Sequence, residues 1–343
     1  MRKALITGCA GQDGSYLAEI LLAEGTQVFG LARESTPLSK IPAGVIVLHG
    51  DLQNARSLQA AVAACKPDEI YNLAGVTDLQ TAYADPEATW RINYEAVGTL
   101  LHAGLEQNPK VRFLQASSSE VFLPSDTLLN EDSPRDITTS NPYSRAKIAA
   151  DEQLIRVARA QGSFACSAIL FNHESPRRSE RSVLRKISRG LVQVHLGMAP
   201  SLNLGNLDLS RDWSFAGDLA QAMKSMLMQE SPTDLVLATG TMHTVREAVM
   251  CAANFLGMGL RWIGSEMESV ALNRDGQKIV GVCQGLFRPA ETRPKAADVT
   301  KFFKTLPMLP TVDFRRLVEM LVLHDLESLR SSQQTGEMGL RAT

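Results

Sequence analysis

Short apolar runs alternate with helical patterns through the first half of the chain. Lys3–Thr7, Thr26–Ala32, Val45–His49, Glu69–Ala74, Val111–Ser117 and Phe164–Phe171 read as six strands. They are apolar throughout, which is the pattern of strands covered on both faces. Most are separated by helical spacing, over Asp13–Glu24, Ala55–Cys65, a stretch ending near Gln107, and Pro142–Ala160. This alternation predicts an α/β fold, a doubly wound parallel sheet between two helical layers. After Asn172 the alternation loosens. Helical segments at Val183–Val194, Gly217–Gln229, Val245–Leu256 and Val312–Leu329 mix with short extended pieces and proline-containing loops. The pattern predicts a first domain over 1–171, to which Asp234–Ala238 returns as a further strand. It predicts a smaller mixed α/β lobe over 172–330 and a polar, mobile tail over 331–343.

Composition narrows the function. The 343 residues are 44% hydrophobic and 21% charged, which excludes wholesale disorder. Lys and Arg number 35 against 37 Asp and Glu, so the basic excess of a nucleic-acid binder is missing. No apolar run is long enough to span a bilayer. Gly8 cuts the first apolar stretch too early for a signal-peptide core. The five cysteines are widely spaced without a CxxC pair, which argues against disulfides and zinc. The expectation is a soluble, cytoplasmic chain without a metal.

Gly8, Gly11 and Gly14 form GxxGxxG between the first strand and the first helix. A backbone there turns tightly, approaches a pyrophosphate and aims helix N–H groups at the anion. Arg33 follows the second strand, where an adenosine ribose is contacted; an Arg there suits a 2′-phosphate and an acid suits a 2′-hydroxyl. Arg33 with Ser35 favours NADP, and Glu34 beside them leaves NAD open. Tyr143 and Lys147 form YxxxK on one helix face. A lysine ammonium one turn from a phenol lowers its pKa and fits it to take or give an alcohol proton during hydride transfer. Ser118 and Glu120 follow the fifth strand, at the end where open α/β sheets bind ligands. Hydride transfer needs Ser, Tyr and Lys. An added carboxylate points to removal of a proton α to a carbonyl, or else is a solvated loop residue.

These motifs are similar to those of the extended short-chain dehydrogenase/reductases. The chain resembles more specifically the GDP-mannose 4,6-dehydratases, from Met1 to about Leu329. The carrying segments include TGCAGQDGSYLAE at Thr7–Glu19, PDEIYNLAG at Pro67–Gly75, RFLQASSSE at Arg112–Glu120 and PYSRAK at Pro142–Lys147. The most specific are ILFNHESPRRSE at Ile169–Glu180 and LGNLDLSRDW at Leu204–Trp213. The resemblance implies a Rossmann-type domain and assigns catalysis to Ser118, Glu120, Tyr143 and Lys147. It puts cofactor contacts on Gly8, Gly11, Gln12, Asp13, Gly14, Arg33, Asp51 and Leu52. Further contacts fall on Leu73, Ala74 and Gly75, and on His173 and Arg178. Nucleotide-sugar contacts fall on Asn172, Lys186, Arg211, Arg288 and Glu291, beside Ser118, Glu120 and Tyr143. A basic run of Arg177, Arg178, Arg181, Arg185, Lys186 and Arg189 suits a diphosphate.

Departures from the family are local. Ser118 stands for its usual Thr, and Ser140 for an Arg. Gly75–Leu79 replaces its AQSxV-type segment, Glu34 replaces a second arginine, and the loop Ser35–Ala43 is short. The resemblance implies an NADP-dependent dehydratase of GDP-mannose that forms a homodimer or homotetramer. A modified GDP-sugar such as a GDP-heptose, another nucleotide-sugar epimerase, reductase or decarboxylase, and a non-catalytic binding protein are the alternatives.

Overall fold

Strands β1 (Lys3–Thr7), β2 (Gln27–Ala32), β3 (Ile46–His49), β4 (Glu69–Asn72), β5 (Arg112–Ser118), β6 (Phe164–Leu170) and β7 (Leu235–Leu237) form one sheet in the order β7-β6-β5-β4-β1-β2-β3. Every pairing in it is parallel. The computed structural model describes residues 1–287, 295–306 and 308–341. Strand order reverses between β1 and β4, so the carboxyl ends of these two strands diverge into the helical connections on opposite faces and leave a crevice. Thr7 is in register with Leu31 on one side and Asn72 on the other, which brings the three strand ends level.

Helices α1 (Gln12–Ala23) and α5 (Ala216–Leu227) pack together on one face, through Leu17, Leu21, Met223 and Leu227 among others. Helices α2 (Ala55–Cys65) and α3 (Ala96–Gln107) cover the other with Leu58, Val62, Val97 and Leu101. Helix α4 (Pro142–Ala149) does not continue smoothly to Ala160: a π-helical turn over Ala150–Ile155 intervenes before the segment Arg156–Ala160. A second π-turn, Arg91–Glu95, leads into α3. Each widens the backbone by one residue and re-aims the side chains after it.

The chain divides into two compact units. The first comprises 1–173, 216–240 and 297–310, and the second 174–215, 241–296 and 311–343. The reading from sequence leaves 297–310 in the second lobe. It belongs to the first because α6 (Thr300–Thr305) and its end bury Phe302 and Leu306 in the cluster of α1 and α5. The second unit holds a four-stranded sheet, ordered Arg261–Ile263, Val270–Leu272, Lys278–Val282, Leu202–Leu204. The helices Val183–His195, Val245–Phe255 and Phe314–Arg341 pack with it around Leu191, Trp213, Ala252 and Leu321. The last of these helices runs to Arg341, past the Leu329 at which the apolar pattern ends. Among the described residues no helix is long and apolar enough to cross a membrane.

Candidate active site

After β1 the backbone takes the left-handed conformation at Gly8 (φ +74°), which a side chain would strain. Gly11 N–H donates to Gly8 O at 2.8 Å and closes the turn. A Cβ on Gly14 would lie 2.3 Å from Gly8 O, so only glycine lets the start of α1 sit this close to the turn. Gly11 caps α1, and no side chain of its own closes that end. A cleft of about 480 Å³ opens here within the first unit. Its walls come from the glycine turn at Gly8 and Gly11, from Arg33 and Ser35 after β2, from Asp51 and Leu52 after β3, and from Ala74 and Gly75 after β4. Thr36, Lys40 and Gln53 also line it, although the sequence carries no motif for them. Glu34 is not among its walls. Leu73 instead packs against the core. Gln12 and Asp13 reach His173: its Nε2 lies 3.1 Å from the Asp13 carboxylate, its Nδ1 2.8 Å from Phe171 O, and Gln12 Nε2 donates to its carbonyl.

At the end of β5, Ser118 Oγ accepts from Glu120 N–H at 3.2 Å and caps the short turn Ser119–Val121. Helix α4 starts with Pro142 at its first position. Asn141 Oδ1 accepts from the N–H groups of Tyr143 and Ser144 at 3.0 and 3.3 Å. That cap sets Tyr143 in the first turn and Lys147 one turn on, both buried. Helix α4 packs on the turn Ser119–Val121, which sets the turn that follows Ser118 and carries Glu120 against the helix that carries Tyr143 and Lys147. Lys147 Nζ donates to Ala116 O at 2.7 Å. Burial brings its ammonium from the usual 10.5 down to about 8, and Asp151 opposes that fall. Asp151 is itself buried. It accepts from Ser117 on β5, from Ser167 on β6 at 2.6 Å, and from Arg135 at 3.1 Å. Burial raises its carboxyl pKa, against the lowering by Arg135 and the two serines.

A second set of positioning contacts has no sequence signature. Thr7 Oγ1 accepts from Ala74 N–H at 3.0 Å and donates to Asn72 Oδ1 at 2.7 Å. Asn72 Nδ2 donates to Gln115 Oε1 at 2.7 Å, and Gln115 Nε2 donates to Ala116 O at 2.8 Å. This buried chain crosses β1, β4 and β5 and ends on the carbonyl that also holds Lys147. Asn93, in the π-turn before α3, clasps Val76 through both its N–H and its carbonyl at 2.9 Å. The segment after β4 is thereby fixed.

The remaining candidates are placed as follows. Asn172 is exposed just after β6. In the second unit, Arg178 lies 3.9 Å from Glu174, Lys186 is half-buried on the helix Val183–His195, and Arg211 donates to Ser210 O. Arg288 and Glu291 lie outside the described residues. The basic run is not the continuous phosphate surface that the sequence suggests. Arg185 is buried in a two-pronged pair with Asp325, at 3.0 and 2.7 Å, and Ser188 bonds the same carboxylate. Arg189 pairs with Glu180 at 3.2 Å. These two cations are engaged inside the second unit. Among the described residues no group of three or more His, Cys, Asp or Glu is arranged to hold a metal ion.

The model of the family described as GDP-mannose 4,6 dehydratase matches residues 5–321. The chain belongs to the GDP-mannose 4,6-dehydratase family. It is 38% identical to GDP-mannose 4,6 dehydratase 2 of Arabidopsis thaliana, over 94% of this chain and 87% of that one. It is 37% identical to the GDP-mannose 4,6 dehydratase of Drosophila melanogaster, over 96% and 87%. Two solved structures share the fold at lower identity. RMD from Pseudomonas aeruginosa, complexed with NADPH, gives a TM-score of 0.77 at 21% identity, covering 96% of this chain and 100% of that one. The dTDP-glucose 4,6-dehydratase of Bacillus anthracis, in complex with NAD, gives 0.75 at 18%, covering 94% and 96%. The GDP-mannose 4,6-dehydratase match thus spans the parallel sheet from within β1 onward and most of the second unit.

Proposed function

We propose that the chain is a nucleotide-sugar 4,6-dehydratase that converts GDP-mannose to GDP-4-keto-6-deoxymannose with a nicotinamide cofactor, NADP in preference to NAD. The observation that carries this reading is Glu120, held on the Ser118-capped turn against the helix of Tyr143 and Lys147. A carboxylate in that position has no task in simple alcohol oxidation and has one in elimination. The cleft fits a dinucleotide by its donor set. It has a glycine turn and open helix start for a diphosphate, and Asp51 and Leu52 for an adenine edge. Arg33 and Ser35 suit a 2′-phosphate, and Ala74 and Gly75 form the floor beside Lys147.

A nicotinamide held in this cleft would supply a hydride acceptor for C4 and a hydride donor for C6. Tyr143 removes the proton of the C4 hydroxyl, and Ser118 orients that oxygen. The Lys147 ammonium keeps the phenol acidic enough to cycle between its two forms. The C4 ketone acidifies the C5 proton, which Glu120 takes, and the C6 hydroxyl leaves as water with a proton from the same carboxyl. Hydride return to C6 leaves an enolate that takes one proton at C5, equal to the one removed from the C4 hydroxyl, so the sum is loss of one water with the cofactor in its starting state.

Self-association belongs to the same proposal. The face formed by the helices up to Gln107 and by Pro142–Ala160 carries Val157, 45% exposed, near the Tyr94–Gln153 hydrogen bond. We read it as a contact between two copies.

The test is incubation of the purified protein and NADP with GDP-mannose, a GDP-heptose and a UDP-hexose, with products identified by mass. Loss of one water from GDP-mannose without net change at 340 nm is the expected result. Loss of water from the heptose alone moves the substrate to a modified sugar. Isomerisation without mass change ends the dehydratase reading.

A further inference from the structure

We infer that Lys40 is the second cation for the 2′-phosphate of NADP, acting across the cleft rim from Arg33. This deepens the cofactor reading above and rests on it. The residue after Arg33 is an acid, so the chain lacks a pair of adjacent cations after β2. The fold supplies the second charge seven residues later. Thr36 N–H donates to Arg33 O at 2.9 Å, Lys40 N–H to Pro37 O at 3.0 Å and Ile41 N–H to Leu38 O at 3.0 Å. These bonds fold the segment Arg33–Ile41 into consecutive tight turns, and Pro37 stiffens the second. Ile41 then packs against the core cluster of α1. The segment is therefore anchored at both ends, by β2 and by Ile41, and Lys40 is held at the wall of the cleft instead of trailing in solvent.

The chemistry of this rim is that of a phosphate site. Arg33, Ser35, Thr36 and Lys40 line the same cleft, two cations and two hydroxyls, and Glu34 does not. Arg33 and Lys40 are exposed, and neither has an ion-pair partner among the described residues. Arg112 and Arg159 of this unit, by contrast, are engaged, with two carbonyls and with Asp234. Asp51, the acid that does line the cleft, turns one oxygen to Gln53 N–H at 2.9 Å. A phosphate monoester dianion is satisfied by a forked donor, a point charge and hydroxyls, which is the set present here. The 2′-hydroxyl of NAD would leave both cations without a partner.

The experiment measures equilibrium binding of NADP and of NAD to the full chain without sugar, for the unmodified protein, Lys40→Gln, Lys40→Arg and Arg33→Gln. Lys40→Gln is expected to weaken NADP by about three- to tenfold, the size of one solvent-screened charge contact, and to leave NAD within a factor of about two. Lys40→Arg should restore NADP, and the effect of Lys40→Gln should shrink at high salt. A clear NADP preference in the unmodified protein that survives Lys40→Gln overturns the role of Lys40 and leaves the cofactor reading standing. Equal loss for both dinucleotides overturns it too, because Lys40 then reads no 2′ group. Equal affinity of the unmodified protein for both removes the phosphate site and the NADP preference together.

Discussion

Lys147 and Asp151 sit one helical turn apart, both buried, with the lysine at the last regular turn of α4 and the aspartate in the π-turn that follows. The carboxylate is the near charge that keeps the ammonium protonated against burial. Arg135 and two serines in turn hold the carboxylate.

The pH dependence follows with a definite sign. The unfolded lysine keeps its proton to the usual 10.5 and the folded one releases it near 8. Stability contributed by this group therefore rises between those values, whereas the proposed mechanism, in which Lys147 acts as an ammonium, has activity falling as pH rises through about 8. Asp151→Asn removes the charge that supports the ammonium, so the alkaline limb of kcat moves to lower pH. A limb that stays in place, measured on folded protein across pH 6 to 10, shows that Asp151 does not set the charge of Lys147.

Glu120→Gln separates elimination from oxidation. The carboxamide keeps the shape but cannot take the C5 proton, so turnover drops by about 10²–10⁴. Absorbance at 340 nm then rises and persists in single turnover, with a 4-keto sugar that still holds its C6 hydroxyl. Tyr143→Phe gives no such absorbance. Near-normal turnover of Glu120→Gln removes the assignment of Glu120 to elimination.

Arg185 is a structural test of the second unit. Arg185→Met removes the two-pronged cation from buried Asp325, leaving it Ser188 and the more distant Arg189 at 3.9 Å, and costs about 3 kcal/mol, read from urea unfolding. Adding Asp325→Leu recovers most of that loss. If Arg185→Met keeps full stability and loses only GDP affinity, the residue is a nucleotide contact after all.

The contact between copies is tested at Val157. Val157→Glu puts a charge on the exposed apolar side chain of the proposed contact and shifts micromolar protein toward monomer in light scattering. An unmodified protein that is already monomeric refutes the contact.

The sequence makes local geometry legible and distant partnerships illegible. GxxGxxG, YxxxK and the strand runs are short-range patterns, and each one states its own backbone requirement. The bridge from Arg185 to Asp325 joins residues 140 apart, and a basic residue on a helix reads as solvated until its partner is seen. Lys40 belongs to no motif, since its place depends on three turn bonds and on Ile41 finding the core. The π-turns are equally silent, because the composition of Ala150–Ile155 is ordinary helix. Phe302 and Leu306 are apolar at helical spacing, but only the fold shows which core receives them.

The buried chain Thr7–Asn72–Gln115 has a direction. Each member gives a hydrogen to the next, and the last acceptor, Ala116 O, is shared with Lys147. Turning either amide over, or both at once, would set acceptor against acceptor, because the row ends on a carbonyl that only accepts, so both amides are held in one orientation. Asn72→Asp or Gln115→Glu alone would strand a neighbour in a dry interior. These positions therefore drift as a group or stay as they are. A single replacement in the row is a dead end, and a viable alternative has to rewrite every link between the glycine turn and the lysine at once.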